Sequence, residues 1–199
     1  MRLLLKVTEF SDLNSFTMEF FVAQKNVLDM KPKQITIDLN ADLGEYQSKN
    51  QYFIECQILS HISSCNIACG GHAGDEESMQ KMILACKQKG VTVGAHPSYP
   101  DREGFGRRKI TIDNSTLKES VINQLRSFLF VSEALNVPIS HVKAHGRLYN
   151  DAANNKNLAD LLVNVIHEVD PRLSIVGPPN SIMADVVRSS ELNFVAEAF

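Results

Sequence analysis

The sequence predicts an α/β protein built as a (β/α) barrel, on three observations. Strand-like and helix-like segments alternate from Ile35 onward, the links between them are short, and each strand candidate carries two unlike faces. Regular alternation with short links specifies a parallel sheet covered by helices. The third observation selects the barrel. An open, fully covered sheet is apolar on both faces, whereas a barrel gathers polar groups at the C-terminal ends of its strands.

The strand candidates are Ile35–Leu39, Ser64–Cys69, Val91–Ala95, His141–Ala144, Leu173–Gly177 and Leu192–Val195. Side chains alternate across a strand, so parity sorts each candidate. Ile35, Ile37 and Leu39 oppose Asp38, Asn40 and Asp42; Cys65, Ile67 and Cys69 oppose Asn66, Ala68, Gly70 and His72. Val91, Val93 and Ala95 oppose Thr92, Gly94 and His96, and Val142 and Ala144 oppose His141, Lys143 and His145. Between strands, Asp75 is placed to cap a helix with Glu76 and Glu77 in its first turn, an apolar stripe of Met79, Met82, Ile83 and Cys86, and Gly90 beyond its end. Thr116 and Glu119 form a capping-box pattern ahead of Val121, Leu125, Phe128 and Leu129. Leu158, Leu161, Leu162, Val165 and Ile166 mark another helix. Residues 1–34 show no sustained period and read as an atypical N-terminal extension, with Met30 as an alternative start; residues 35–199 form the barrel region.

At 44% hydrophobic and 22% charged residues, the chain has the composition of an ordinary globular protein. A net charge of -3 offers no general attraction for nucleic acid or anionic lipid. No stretch approaches the ~20 apolar residues of a membrane helix. Cys56, Cys65, Cys69 and Cys86 lack CxxC spacing and follow no secretion signal, so reduced thiols and a cytoplasmic location are expected. The chain has no Trp, and no aromatic platform for sugars stands out.

Four segments carry candidate chemistry. Asp38, Asn40, Asp42 and Glu45 leave the first strand, either orienting a metal, water or amine or forming an Asx-stabilised turn around Gly44. Asn66–Asp75 holds three glycines and His72, either approaching a ligand or making a tight turn. The punctuated loop Gly94–Arg108 presents Arg107 and Arg108 to a carboxylate or phosphate, or is a solvated loop. In His141–Asn150, two histidines four residues apart on a strand lie roughly 13 Å apart, too far to share an ion. His141 is therefore structural and His145 is the candidate. Asp38, His72, His96 and His145 together suit a divalent metal or metal-free acid–base work. Neither Gly-x-Gly-x-x-Gly nor the phosphate-binding Gly-x-x-x-x-Gly-Lys-[Ser/Thr] occurs.

These segments, DLNADLGE (38–45), NIACGGHAGD (66–75), GAHPSYPDREGFGRR (94–108) and HVKAHGRLYN (141–150), resemble the LamB/YcsF family in composition and order. The resemblance runs from about Ile35 to Phe199. It implies a deformed seven-stranded (β/α) barrel of the glycoside hydrolase/deacetylase type, C-terminally truncated here. It also implies the A component of an ATP-dependent 5-oxoprolinase, opening 5-oxo-L-proline to L-glutamate with the partner 5-oxoprolinase subunits B and C, where the ATP co-substrate is bound. Carried over by position, Asp38, Lys143, His145 and His96 are the catalytic candidates, with Asp38 or His145 as general base. Asn40, Asp42, Glu45, His72, Asp75, Arg107 and Tyr149 are the substrate-binding candidates. Gly71, Ala144 and Arg147 depart from the family's usual Phe, Pro and Ala. The competing expectations are a metal-dependent amidohydrolase or deacetylase acting without ATP, and an inactive barrel fragment serving as a binding module.

Overall fold

The computed structural model describes residues 2–4 and 37–198. Its centre is one seven-stranded sheet whose strands lie side by side in chain order. β1 (Arg2–Leu4) runs antiparallel to β2 (Asp38–Leu43). From β2 onward every pair is parallel: β3 (Ser64–Ala68), β4 (Thr92–His96), β5 (Ile139–Val142), β6 (Ser174–Gly177) and β7 (Phe194–Ala196). The helices are α1 (Lys49–Ile58), α2 (Glu76–Lys89), α3 (Asn114–Ala134), α4 (Gly146–Asn154), α5 (Lys156–Val169) and α6 (Ile182–Arg188). The parallel strands and helices make an open half-barrel.

The apolar parity set of each strand joins the core under the helices. Cys65 and Ile67, Val93 and Ala95, Val142, and Ile175 pack with Met79, Met82, Ile83 and Cys86 of α2, Phe128 of α3 and Leu162 of α5. Cys65 and Cys86 place their sulfurs 3.4 Å apart across this layer. The opposite face is polar and concave. α2 follows its expected pattern closely: Asp75 accepts from the Ser78 amide, the Ser78 hydroxyl answers the Asp75 amide, and Gly90 closes the helix at φ 68°.

Several boundaries differ from expectation, with β5 at Ile139–Val142 and β7 at Phe194–Ala196 each displaced by one or two residues, and three differences have a local cause. β2 begins at Asp38 and runs to Leu43, because its register is set by pairing with β3 (Asn40 with Ser64, Leu43 with Ile67) rather than by the apolar run before it. Ile37 is half exposed, and Ile35 lies outside the described residues. α3 starts one turn earlier than the Thr116–Glu119 pattern suggests. Asp113 is its cap, accepting from the Thr116 amide and hydroxyl, so Thr116 lies inside the first turn. β1 falls within the segment read as an extension; backbone pairing along an available edge requires no apolar period. The proposed boundary at residue 34 and the alternative start at Met30 lie outside the described residues.

If Asp113 is the cap, Asp113→Ala should destabilise the fold by about 1 kcal/mol in denaturant unfolding. Glu119→Ala should change it by no more than about 0.5 kcal/mol, as expected of a surface helical position.

Candidate functional site

Four strand exits converge, each held by backbone features that a sequence pattern only hints at. At the end of β2, Gly44 takes φ 75°, and a Cβ there would lie 2.8 Å from the Ile67 side chain. The Glu55 carboxylate of α1 accepts from the amides of Gly44 (2.7 Å) and Glu45 (3.2 Å). This grip turns the Glu45 side chain towards His72 and His145, whose ring nitrogens lie 2.8 and 3.4 Å from its Oε1. After β3 the chain folds back tightly at Gly74 (φ 80°), where a Cβ would stand 2.7 Å from the Ala68 carbonyl oxygen. That reversal buries His72.

His96 closes β4, and His145 follows β5. The ladder between these strands continues past their formal ends, with the Lys143 amide on the Ala95 carbonyl (3.0 Å) and the His145 amide on the Pro97 carbonyl (2.8 Å). The His72 and His145 rings stack at 3.6 Å with only 3° between their planes, and His96 stands edge-on to both. Phe105, a non-glycine residue at φ 54°, presents its ring edge to the stacked pair. Positive φ at a bulky residue is uncommon and here aims a carbonyl into the site.

That carbonyl decides a tautomer. His145 Nε2 lies 2.9 Å from the Phe105 oxygen, so it carries the proton and donates. His96 Nδ1 lies 2.7 Å from the Lys143 carbonyl oxygen and donates likewise. In neutral rings the remaining nitrogens, His96 Nε2 and His145 Nδ1, would then both be bare, yet they face each other at 3.0 Å. Two lone pairs repel at that distance. A proton or another cation between them resolves the contact. Glu45 and Asp42 flank it, with Asp42 Oδ2 3.5 Å from His96 Nε2.

Asp42 is itself held firmly. Burial pushes its carboxyl pKa up, but His96, the Lys143 ammonium and the Asn66 amide together outweigh this and hold it far below the usual carboxylate range. For Glu45, burial is likewise outweighed, by the hydrogen bond from His72 and the nearby histidines, and the net shift is downward. Burial, assisted by His96 and His72, pushes His145 down to about 3. Behind these groups runs a satisfied polar ladder. Asn66 donates to Asp42 (2.7 Å) and Asn40, Asn40 donates to Ser64 (2.7 Å), and His141 Nε2 donates to Asn66 Oδ1 (2.7 Å).

The expected site residues thus divide. Asp42, Glu45, His72, His96, Lys143 and His145 meet, and Asn40 supports them. Asp42, His96, Arg107, His145 and Tyr149 line one cavity of about 280 Å³ at the C-terminal strand ends, with exposed Arg107 at its rim. Asp38 does not join them. It lies four residues down β2, roughly 13 Å from Asp42, where the hydroxyls of Ser63 and Ser64 donate to it, beside a separate cavity of about 250 Å³ at the N-terminal strand ends. The carboxylate grouped with the three histidines is Glu45; potential ligand atoms of Glu45, His72, His96 and His145 all lie within 4.8 Å of one another. Asp75 is exposed and caps α2. Arg108 is committed to Asp101 and Glu103. His141 lies apart from this cluster, buried and hydrogen-bonded to Asn66, and burial lowers its pKa to about 4. Asn66 and Glu197 are site neighbours not singled out from sequence. Only their presence on the polar parity face (Asn66) and as a lone acid in an apolar strand end (Glu197) marks them.

The family model described as the LamB/YcsF family matches residues 37–199. Among curated proteins, the 5-oxoprolinase A component of Alkaliphilus metalliredigens is 38% identical over 82% of this chain and 64% of its own length. Its counterpart from Chloroflexus aggregans is 40% identical over 83% of this chain and 66% of its own length. The chain therefore spans slightly less than two thirds of these relatives. A crystal structure of a lactam utilization protein from Thermus thermophilus superposes with a TM-score of 0.73 at 32% identity, covering 80% of this chain and 64% of that one. The departure at Gly71 has a local explanation. A Cβ there would lie 2.5 Å from Gln124 Oε1, and Gln124 fills the space by accepting from the Ser98 amide (3.0 Å) and donating to the Ser98 carbonyl (2.9 Å).

The depressed His141 pKa has a signed consequence. The folded state keeps this ring neutral, while the unfolded chain protonates near pH 6.5. Its contribution to stability is intact above that pH and is lost as pH falls towards about 4. Thermal unfolding midpoints should drop between pH 7 and 5, and His141→Gln should flatten that slope.

Proposed function

Since the chain belongs to the LamB/YcsF family, we propose that it acts as the A component of an ATP-dependent 5-oxoprolinase, opening 5-oxo-L-proline to L-glutamate. The observation that carries this reading is the His96–His145 contact, flanked by ionised Asp42 and Glu45 in a cavity at the strand ends. Relatives named as the A component of 5-oxoprolinase and a structural neighbour named for lactam utilization support the same chemistry.

A lactam amide resists water, and coupling to ATP makes its opening favourable. The sequence has no P-loop, so ATP is used with partner subunits B and C, which phosphorylate the lactam oxygen. In this chain's cavity water then adds to the activated ring carbon. With no cation yet between the facing nitrogens, the histidine pair takes its bridging proton from that water and returns it to the ring nitrogen as the C–N bond breaks. Breaking that bond frees the amine and leaves a γ-acyl phosphate; a second water then adds to the same carbon and the phosphate departs with the oxygen it had joined, giving the γ-carboxylate of glutamate and inorganic phosphate. Asp42 and Glu45 stabilise positive charge on the pair, and their low pKa values make them fixed anions rather than bases. Lys143 is buried under Asp42 and acts by holding it. Arg107 at the rim takes the substrate carboxylate or the phosphate.

A second reading has its own support. The facing nitrogens, with Glu45 and His72, also suit a divalent metal, and the backbone carbonyls behind His96 and His145 are the partners that metal-bound imidazoles use. Such an ion would polarise the amide carbonyl and acidify a bound water. The enzyme would then be an ATP-independent amidohydrolase or deacetylase.

Glutamate release with ATP and the partner subunits tests the first reading. His145→Gln should lower turnover by about 10²–10⁴-fold. Asp38→Ala, at the far end of the strand, should keep turnover within about threefold once corrected for folded protein. Hydrolysis that ignores ATP and disappears with chelator would favour the metal reading. Lactam binding without any turnover would make the chain a binding module.

A further inference from the structure

The proposed reaction leaves unused a buried carboxylate beside the cavity. Glu197 follows β7, where its amide donates to the Gly177 carbonyl (2.9 Å), and it is 1% exposed. Its Oε1 forms an ion pair with Lys143 Nζ at 3.0 Å, and its Oε2 accepts the Tyr149 hydroxyl at 2.7 Å. Lys143, also 1% exposed, donates on its other side to Asp42 at 3.0 Å. The result is a line of carboxylate, ammonium, carboxylate and phenol reaching from β2 through β5 and β7 to α4. Burying a charge is costly unless it is paired, so pairing alone would account for one carboxylate beside Lys143. It does not account for two, nor for the second carboxylate also gripping a residue of the cavity wall.

We propose that Glu197 is a positioning residue of the catalytic cavity. It draws the Lys143 ammonium away from a closed one-to-one pair with Asp42, so that Asp42 keeps Oδ2 turned towards His96. It also sets the direction of the Tyr149 hydroxyl in the cavity wall. Without it, Lys143 settles wholly on Asp42, and the carboxylate that flanks the histidine pair turns with it. This inference rests on the cavity being the site of lactam opening, and the test below separates the two.

The absence of Trp makes the four tyrosines the dominant emitters of the chain. A phenol hydrogen-bonded to a carboxylate emits differently from one bonded to an amide. Glu197→Gln should therefore alter tyrosine emission, and Tyr149→Phe in the same background should remove the difference. In the glutamate-release assay with partner subunits, Glu197→Gln should lower kcat about 30- to 100-fold, the scale of a small misplacement, with KM within about threefold. Because Glu197 acts through Lys143, adding Glu197→Gln to Lys143→Gln should cost little beyond Lys143→Gln alone. Wild-type kcat in Glu197→Gln, fully additive losses in the double variant, or unchanged emission would each overturn the proposal. Should Glu197→Gln fail to fold, Glu197→Asp, charged but one methylene short, must show the same kcat loss. If the wild-type chain releases no glutamate, the functional reading fails by itself. Emission and calorimetric binding of 5-oxo-L-proline then judge Glu197: altered emission with weaker binding supports it, and unchanged values overturn it.

Discussion

Burying the Lys143 ammonium beneath the strand ends obliges this sheet to bring anions to it from both sides. A solitary buried charge would cost several kcal/mol, so β2, β5 and β7 must be in register before that cost is offset. The same requirement fixes where Asp42 points, and Asp42 in turn meets His96. The polar half of the fold is therefore organised outward from one cation. The apolar half, the packing of α2, α3 and α5 against the outer faces of the strands, supplies the framework that holds those strands parallel.

Much of this was legible in the alternation of residue types. Parity placed Asp42, Asn66, His96, Lys143 and His145 on one face, and the structure has them there. Parity gives the face and not the height, however. Asp38 and Asp42 share a face of β2, and only the pairing of β2 with β3 reveals that one lies at the bottom of the concave surface and the other at the top. The α2 helix was readable to both ends because its cap, stripe and closing glycine agree with one another. The start of α3 was not, since Asp113 and Thr116 are both good caps and the choice depends on where the incoming loop turns. β1 lies in a segment with no period to read, and the three-residue β7 is too short to announce that Glu197 beyond it is buried.

Glu45 replaces Asp38 beside the three histidines for a reason outside its own segment. The amides of Gly44 and Glu45 are gripped by Glu55, a residue of α1, a helix with no fully buried side chain. An otherwise peripheral helix thus acquires a role in shaping the cavity through two hydrogen bonds to backbone. Gln124 does something similar for Ser98, occupying room that a side chain at position 71 would need.

The carbonyl of Phe105 belongs to a loop, whereas the carbonyl behind His96 belongs to the chain leaving β5. The two imidazoles are thus oriented by acceptors on separate segments of the chain. Turning the single peptide plane after Phe105 would withdraw the acceptor at His145 Nε2, free that ring to place its hydrogen on the other nitrogen, and convert a repulsive pair of bare nitrogens into an ordinary hydrogen bond with no added cation. The charge state of the cavity is in this way tied to the backbone conformation of a surface loop.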